Sequence, residues 1–127
     1  MTNKDTGIVL FAHGSRDPLW RAPIDAVAHA IAAHSPTAVV RCAFLELTSP
    51  DLPTVVDELV SLGLERVRIL PMFLGVGRHA REDLPELVTQ LRAQHPSLAL
   101  ALMPSVGEHP AMTALMAEIA LGTAPKP

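Results

Sequence analysis

The stretch "GIVLFAHGSRD", residues 7–17, decides the fold expected for this chain. Its first part, residues 7–13, is a continuous apolar run with Ile, Val and Phe, which predicts a β-strand buried on both faces. The run ends in His13, so an imidazole is expected at the last step of a rigid strand. Gly14 follows directly, and it lets the backbone turn sharply and lets a ligand approach closely. The stretch therefore predicts a histidine held in a fixed direction at the rim of a sheet.

The composition indicates one compact, folded domain. Hydrophobic residues make up 49% of the chain, which excludes a disordered protein and allows a sizeable core. A length of 127 residues is too short for two ordinary domains. We therefore expect a single domain over residues 1–127, with a core over about 7–121 and frayed tails at 1–6 and 122–127.

Charge and cysteine content narrow the classes of partner and compartment. The formal net charge is -3 and no basic block is present, so we do not expect a nucleic acid partner. No apolar run is long enough to cross a bilayer, and the polar N-terminal residues do not resemble a signal peptide. We therefore expect a cytoplasmic protein with no membrane partner. The single cysteine, Cys42, excludes an internal disulfide and a cysteine-based zinc cluster, and its apolar setting predicts a small core residue.

Runs of strand length alternate with segments of helical period along the chain. Strands are predicted at 7–13, 37–47, 66–74 and 97–104. Helices are predicted at about 20–34, 50–62, 81–94 and 109–121. Pro71 inside the third strand predicts a bulge or a strand end there. Strands joined by helical crossovers pair in parallel, so the order βαβαβαβα predicts an α/β, flavodoxin-like domain: a small parallel sheet of about four strands with helices on both faces.

Local signals refine two of the helices. Ser49 is the expected N-cap of the second helix, with Pro50 in its first turn and Gly63 just past its end. The buried stripe of that helix is predicted to be Leu52, Val55, Val56, Leu59 and Leu62. The last helix carries an apolar stripe that is expected in the core, with a dimer face as the alternative: Met112, Leu115, Met116 and Ile119.

Chemically active side chains follow each predicted strand. In open parallel sheets, ligands bind beyond the carboxyl ends of the strands, where the strand order reverses. His13 ends the first strand, Glu46 lies at the end of the second, and His79 follows the third. After the fourth strand come Glu108 and His109. His109 starts the last helix, so a helix cap or a substrate contact is expected of it rather than metal binding.

A divalent metal suits the first three of these residues. Two neutral imidazoles and one carboxylate are suitable ligands for borderline transition metals such as Co, Fe, Ni or Zn. Three protein ligands leave coordination positions open, as catalysis requires. We therefore expect His13, Glu46 and His79 to converge on one metal site if the fold is as predicted. The alternatives are rim histidines bonded to the backbone and a capping or salt-bridged Glu46.

The same segments provide groups that can hold an anion. Arginines flank both histidines, and a serine hydroxyl and glycine amides next to them can donate hydrogen bonds. We expect a carboxylate or phosphate of the substrate to be bound by Gly14, Ser15, Arg16, Gly77 and Arg78. Arg81 lies on a predicted helix, where an ordinary surface arginine is an equally good interpretation.

Four segments of the chain resemble those of one enzyme family. They are "FAHGSRD" (11–17), "AFLELTSPDLP" (43–53), "PMFLGVGRHAREDLP" (71–85) and "PSVGEHP" (104–110). With these segments the chain resembles the class II chelatases, specifically the short CbiX/SirB-type sirohydrochlorin chelatases. The resemblance covers roughly residues 7–120. It implies a single CbiX-like chelatase domain.

The resemblance implies an enzyme that inserts Co²⁺, Fe²⁺ or Ni²⁺ into sirohydrochlorin or a related anionic tetrapyrrole, in cobalamin, sirohaem or nickel-tetrapyrrole biosynthesis. It implies that His13 and His79 form the catalytic, metal-binding pair and that Glu46 is a further ligand. Longer members of the family hold two tandem copies of the domain, so the single copy here implies a homodimer. The metal is then a substrate, and no organic cofactor is expected because no P-loop or GxGxxG pattern is present.

Two other functions fit part of the pattern. The same rim suits a carrier that binds a metal or a tetrapyrrole without catalysing insertion. A flavodoxin-like domain that binds a nucleotide phosphate through "HGSRD" leaves Glu46 and His79 without a role, and its first loop has only one glycine. Turnover beyond one equivalent of substrate distinguishes an enzyme from a carrier.

Overall fold

A computed structural model describes residues 6–126, in which four parallel strands alternate with four helices. The strands are β1 (Thr6–Ala12), β2 (Val39–Phe44), β3 (Arg66–Pro71) and β4 (Ala99–Leu102). The helices are α1 (Ala22–His34), α2 (Leu52–Ser61), α3 (Arg78–Gln94) and α4 (Pro110–Leu121), the last preceded by a 3₁₀ turn, Val106–Glu108. The predicted element order and parallel sheet are confirmed. Residues 1–5 and 127, which belong to the tails expected to fray, lie outside the described residues.

The strand order across the sheet is β2-β1-β3-β4. The chain crosses from β1 to β2 on one side and then to β3 on the other side of β1, so the order reverses between β1 and β3. These two strands are paired in parallel up to Phe11 opposite Pro71. Ligands bind in such sheets at the carboxyl ends of the strands on either side of the reversal. That crevice is therefore formed by the strands that precede His13 and His79.

Helices cover the two faces of the sheet unequally. α2 and α3 pack on one face, and the buried stripe predicted for α2 is correct except for Leu62, which is 56% exposed. The larger core, on this face, consists of Val9, Phe11, Ala43, Leu52, Val55, Val56, Leu59, Leu64, Val67, Ile69, Leu84, Val88, Leu91 and Leu100. α1 packs on the other face over a smaller core of Leu10, Ala12, Ile24 and Phe44. Cys42 lies half-buried beside this smaller core, and burial raises the pKa of its thiol.

The strands end earlier than the apolar runs predict. β2 stops at Phe44 rather than residue 47, so Glu46 lies in the loop that follows. β3 stops at Pro71, as the proline predicts, because a proline has no amide to donate to the ladder. β4 stops at Leu102 rather than residue 104. The apolar residues just beyond these ends are therefore outside the sheet.

α3 begins three residues before its predicted start, at Arg78 instead of residue 81. Gly77 is its N-cap in an extended conformation, and Arg78 pairs with Glu82 four positions on, which stabilises the additional turn. The prediction that the third helix starts only after Arg78 and His79 is therefore wrong. Both side chains belong to the first turn of a helix, whose backbone fixes their directions.

α2 begins at Leu52 with Asp51 as its N-cap, so the prediction of Ser49 as N-cap is wrong. The amide of Phe44 donates to the carbonyl oxygen of Pro50 at 2.9 Å. This bond keeps the segment before Asp51 beside the end of β2, and the helix starts only after it.

Replacing Asp51 by alanine is expected to lower the free energy of unfolding by about 1 kcal/mol, because the first turn of α2 loses its cap. Oδ1 of Asp51 accepts a hydrogen bond from the amide of Thr54 at 3.0 Å. Hydrogen bonding by the side chain of Thr54, and then by this amide, lowers the pKa of Asp51. The carboxylate therefore stabilises the fold above its ordinary pKa, and this contribution is lost as the pH falls through the lowered value. Urea denaturation at neutral and at acid pH tests this; equal stability of Asp51→Ala and the parent chain at neutral pH contradicts it. Asp51→Asn, which keeps an acceptor, serves as the control.

α4 does not join the core, so the prediction that its apolar stripe is buried is wrong. Leu115 and Ile119 are 39% and 60% exposed, Met112 and Met116 are half-buried, and no residue of α4 is buried. The helix packs chiefly on the turn Val106–Glu108. Its apolar residues surround the helix instead of forming one stripe, so the spacing of four of them did not identify a core-facing side. Among the helices of residues 6–126, none is long and apolar enough to span a membrane.

Candidate active site

The loops after β1 and β2 run side by side beyond the ends of the strands. The amide of Leu45 donates to the carbonyl oxygen of Ala12 at 2.9 Å, and the amide of Glu46 donates to that of His13 at 3.0 Å. These bonds join the two loops directly beyond Ala12 and Phe44, the last pair of the parallel ladder. As a result, the backbones that carry His13 and Glu46 are fixed relative to each other.

The side chains of His13 and Glu46 form a pair. Nε2 of His13 lies 3.2 Å from Oε1 of Glu46, and the two side chains are 58% and 56% exposed. A contact this exposed adds little to stability because water screens it. Because both side chains are exposed to solvent, the imidazole and the carboxylate are accessible to a ligand. The structure thus brings together two of the three residues expected to bind metal.

Gly14 makes this close approach possible. Its φ is +103°, a conformation that residues with a Cβ rarely adopt, and a Cβ at this position would overlap with the carbonyl oxygen of Glu46. Gly14 therefore allows the two loops to lie in contact, because it has no Cβ. The sequence predicted a sharp turn here, and the structure adds that the group approaching the glycine is the backbone of the neighbouring loop.

His79 lies exposed in the first turn of α3, beyond the carboxyl end of β3. Because β3 pairs with β1, this end of α3 follows the strand next to the one that carries His13. Within residues 6–126, however, no group of three or more His, Cys, Asp or Glu side chains is arranged to hold a metal ion. The structure therefore pairs His13 with Glu46 but does not bring His79 into a ready-made three-residue centre.

The residues expected to bind an anion differ in their surroundings. Arg16 is exposed and makes no hydrogen bond or ion pair within the described part of the chain, so its guanidinium is available. Nε of Arg78 lies 3.3 Å from Oε1 of Glu82, with both side chains largely exposed. Such a pair contributes only about 0.3–0.5 kcal/mol, so an incoming anion can compete for Arg78. Gly77 is exposed at the start of α3.

Ser15 is hydrogen-bonded to two residues, Thr48 of the loop after β2 and Asp17 of its own loop. Its amide donates to Oγ1 of Thr48 at 3.0 Å, and its hydroxyl oxygen accepts from the amide of Asp17 at 3.0 Å. The hydroxyl proton of Ser15 is still available to a ligand, whereas its amide is not. The expected contribution of Ser15 to anion binding is thus restricted to the hydroxyl.

A pocket of about 140 Å³ lies between the carboxyl ends of β3 and β4 and the first turns of α3. Arg81 and Glu108 both line it, with Met103 beside them. Arg81 therefore lines a pocket at this edge of the sheet and is not only a helix-surface arginine. His109 is the N-cap of α4, where its Nδ1 accepts from the amide of Ala111 at 3.0 Å, which confirms the predicted capping role.

Exposed apolar residues, here called the apolar rim, also follow the strands at this edge of the sheet, and sequence reasoning missed them. The described chain has nine exposed large hydrophobic side chains, of which five follow the four strands at this edge: Leu19, Leu45, Leu47, Leu74 and Met103. Four of these residues fell within predicted strands, whose true ends come earlier. Leucines that continue an apolar run are indistinguishable by spacing from buried strand residues. The sequence carried no signal of their exposure.

Solved structures share this fold and define the class of protein as an α/β domain of the CbiX type. A CbiX protein of Marinobacter aquaeolei VT8, assigned to cobalamin (vitamin B12) biosynthesis, matches with a TM-score of 0.78 and 29% identity over 92% of this chain and 95% of that one. The sirohydrochlorin chelatase SirB of Bacillus subtilis subspecies spizizenii, solved in complex with cobalt, has a TM-score of 0.74. Its identity is 24% over 94% of this chain and 50% of SirB, so this likeness establishes the fold.

The sequence matches the model of the CbiX family over residues 7–121, and the chain belongs to that family. The sirohydrochlorin cobaltochelatase of Methanothermobacter thermautotrophicus is 32% identical over 84 residues, which are 65% of this chain and 57% of that protein. The sirohydrochlorin ferrochelatase of Bacillus subtilis is 27% identical over 100 residues, 79% of this chain and 38% of that protein. The chain thus spans less than two thirds of the length of these relatives.

Proposed function

We propose that this chain inserts a divalent transition metal, Co²⁺, Fe²⁺ or Ni²⁺, into sirohydrochlorin or a related tetrapyrrole, in cobalamin or sirohaem biosynthesis. The observation that carries the proposal is the exposed pair of His13 and Glu46, 3.2 Å apart, beyond the carboxyl ends of β1 and β2 in a chain of the CbiX family. His79 follows β3, the strand on the other side of β1. The metal is a substrate of the reaction, not a resident cofactor.

The proposed chemistry assigns two tasks to these side chains. Insertion removes two pyrrole N–H protons from the macrocycle and delivers a divalent ion to its nitrogens. Neutral imidazoles can hold the ion and can also accept protons near neutral pH. We assign His13, Glu46 and His79 to metal capture, and His13 and His79 to proton acceptance as the ion leaves. A site with few, exposed ligands suits this task because the ion must be released.

The apolar rim and the arginines match the two kinds of surface on the substrate. A tetrapyrrole has broad apolar faces, and sirohydrochlorin carries many carboxylates around its edge. Exposed leucines such as Leu19, 80% exposed, and Leu74, 68% exposed, can pack against the ring face. Arg16 and Arg78, with the hydroxyl of Ser15 and the backbone at Gly14 and Gly77, can bind the carboxylates.

The proposal is tested by mixing the protein with Co²⁺ and sirohydrochlorin and following the absorption spectrum of the macrocycle. An enzyme converts many equivalents of sirohydrochlorin faster than the reaction without protein. A spectral change that stops at one equivalent identifies a carrier instead. No acceleration and no binding contradict both functions.

We further propose that the chain acts as a homodimer that forms through α4. The helix is apolar yet has no buried residue. On the face of the sheet that α1 covers only in part, β3 and β4 expose Arg68, Ala99 and Ala101. The structure of SirB is about twice as long as the part that this chain matches. A second copy supplies a comparable length of chain.

The free thiol of Cys42 fits a reducing compartment, and we place the protein in the cytoplasm on this ground.

The double substitution Leu115→Glu with Ile119→Glu is expected to weaken dimerisation by about a hundredfold or more, because two apolar side chains leave the interface. Light scattering coupled to size-exclusion chromatography measures the mass over a dilution series. Leu62→Glu, at an exposed leucine outside α4, is the matched control and should leave the dimer intact. A parent chain that is monomeric at every concentration overturns the homodimer, and a double variant that stays dimeric overturns the role of α4.

A further inference from the structure

We propose that Thr48 is a positioning residue. Its hydroxyl fixes the loop after β2, which carries Glu46 (the Glu46 loop), against the loop after β1, which carries His13 (the His13 loop). This contact orders the pair of His13 and Glu46 before the metal binds. This inference rests on the proposed function, because it names a residue that serves the same site. Thr48 is not itself expected to contact the metal or the macrocycle.

One hydroxyl group joins the two loops in both directions. Oγ1 of Thr48 accepts a hydrogen bond from the amide of Ser15 at 3.0 Å and donates one to the carbonyl oxygen of Ser15 at 2.8 Å. The two residues are 33 positions apart in the sequence and the contact is partly buried. Both backbone groups of Ser15 are thereby paired beyond the end of the β1–β2 ladder. No single apolar side chain can replace this arrangement.

The Glu46 loop needs such a fixed point because its turn is unfavourable. Leu47 has a φ of +64°, a region that leucine rarely occupies. The amide of Thr48 donates to the carbonyl oxygen of Glu46 at 2.8 Å, which closes a γ-turn around Leu47. Residues in sparsely populated conformations persist only when their surroundings hold them there. On one side the bond from Glu46 to His13 holds the turn, and on the other side the hydroxyl of Thr48 holds it.

The consequence concerns the exposed pair of metal ligands. His13 and Glu46 are more than half exposed, so packing around their side chains does little to order them. Their relative position therefore depends on the backbone, which is fixed at Glu46 itself, at Gly14 and at Thr48. A site that is ordered before the ion arrives binds it more tightly, because less freedom is lost on binding.

The test compares Thr48→Val, which removes the hydroxyl but keeps the shape, with Thr48→Ser, which keeps the hydroxyl. Isothermal titration with Co²⁺ alone measures the affinity, thermal denaturation reports the fold, and amide hydrogen exchange at Ser15 reports the bond itself. We expect Thr48→Val to weaken Co²⁺ binding by about tenfold and to speed exchange at Ser15, with Thr48→Ser close to the parent chain. Thr89→Val is the matched control, since its hydroxyl bonds the carbonyl oxygen of Pro85 on the surface of α3.

Unchanged Co²⁺ affinity in a folded Thr48→Val variant overturns the inference, even if its melting temperature is lower. Loss of affinity in Thr48→Ser as well overturns it too, because the hydroxyl is then not the cause. If Thr48→Val does not fold, Thr48→Ala replaces it with the same two criteria. Failure of the proposed function shows separately, as absence of turnover by the parent chain with sirohydrochlorin, while the Co²⁺ titration still decides the role of Thr48.

Discussion

Replacing His79 by alanine is expected to reduce the rate of metal insertion by about 10²–10⁴-fold, the range typical for removal of a group that transfers protons in the transition state. The proposed site also loses one of its two imidazole ligands. The side chain lies exposed in the first turn of α3 and makes no hydrogen bond or ion pair within residues 6–126. The fold should therefore be unaffected, with a change in the free energy of unfolding within about 0.5 kcal/mol.

Steady-state turnover of sirohydrochlorin with Co²⁺, together with thermal denaturation, measures both effects of His79→Ala. His29→Ala provides a matched control, because His29 is also an exposed histidine on a helix but lies on α1. Loss of turnover in His79→Ala and not in His29→Ala supports the assignment. Turnover by a well-folded His79→Ala variant at the parent rate refutes the role of this residue.

Gly14→Ala is expected to disrupt the site and to lower the free energy of unfolding by about 2–4 kcal/mol. Two effects add here: alanine must adopt a φ of +103°, and its Cβ overlaps with the carbonyl oxygen of Glu46. Relief of the overlap requires the two loops to separate. This separation removes the bond from the amide of Glu46 to His13 and takes the carboxylate away from the imidazole.

Gly63→Ala separates these two effects. Gly63 also has a positive φ, +86°, but a Cβ there has open space around it. Only the backbone cost of about 1–2 kcal/mol is expected, with no loss of turnover. Urea denaturation and the chelation assay on both variants give the comparison. A Gly14→Ala variant that is no less stable than Gly63→Ala and retains its turnover contradicts the close contact between the loops.

The architecture followed from hydrophobic patterning. Runs rich in β-branched residues alternate with segments of helical period, and this alternation predicts parallel strands and a site at their carboxyl ends. His13 and Gly14 were recognisable because a polar residue and a glycine interrupt a buried run. The position of Pro71 at the end of β3 was predictable for a similar reason, since proline cannot donate to the sheet.

Other features depend on contacts between distant segments, which spacing cannot show. α2 is capped by Asp51 and not by Ser49, because the bond from the amide of Phe44 to the carbonyl oxygen of Pro50 keeps the segment before Asp51 beside β2. The hydroxyl of Thr48 meets Ser15 only because β1 and β2 are neighbours, so its role was not visible in "ELTSPD". α4 has the composition of a core helix, and its exposure depends on its position relative to the sheet, which the spacing of its apolar residues does not show.

A structure of the protein with bound Co²⁺, located by anomalous scattering, tests most directly whether His13, Glu46 and His79 serve one metal. We expect a single ion between β1 and β3, bound by the imidazole of His13, the carboxylate of Glu46 and the imidazole of His79, with open positions facing solvent. An ion bound away from His13 and Glu46, or one held by these two while His79 points away with no shared crevice, contradicts the proposed chelation site.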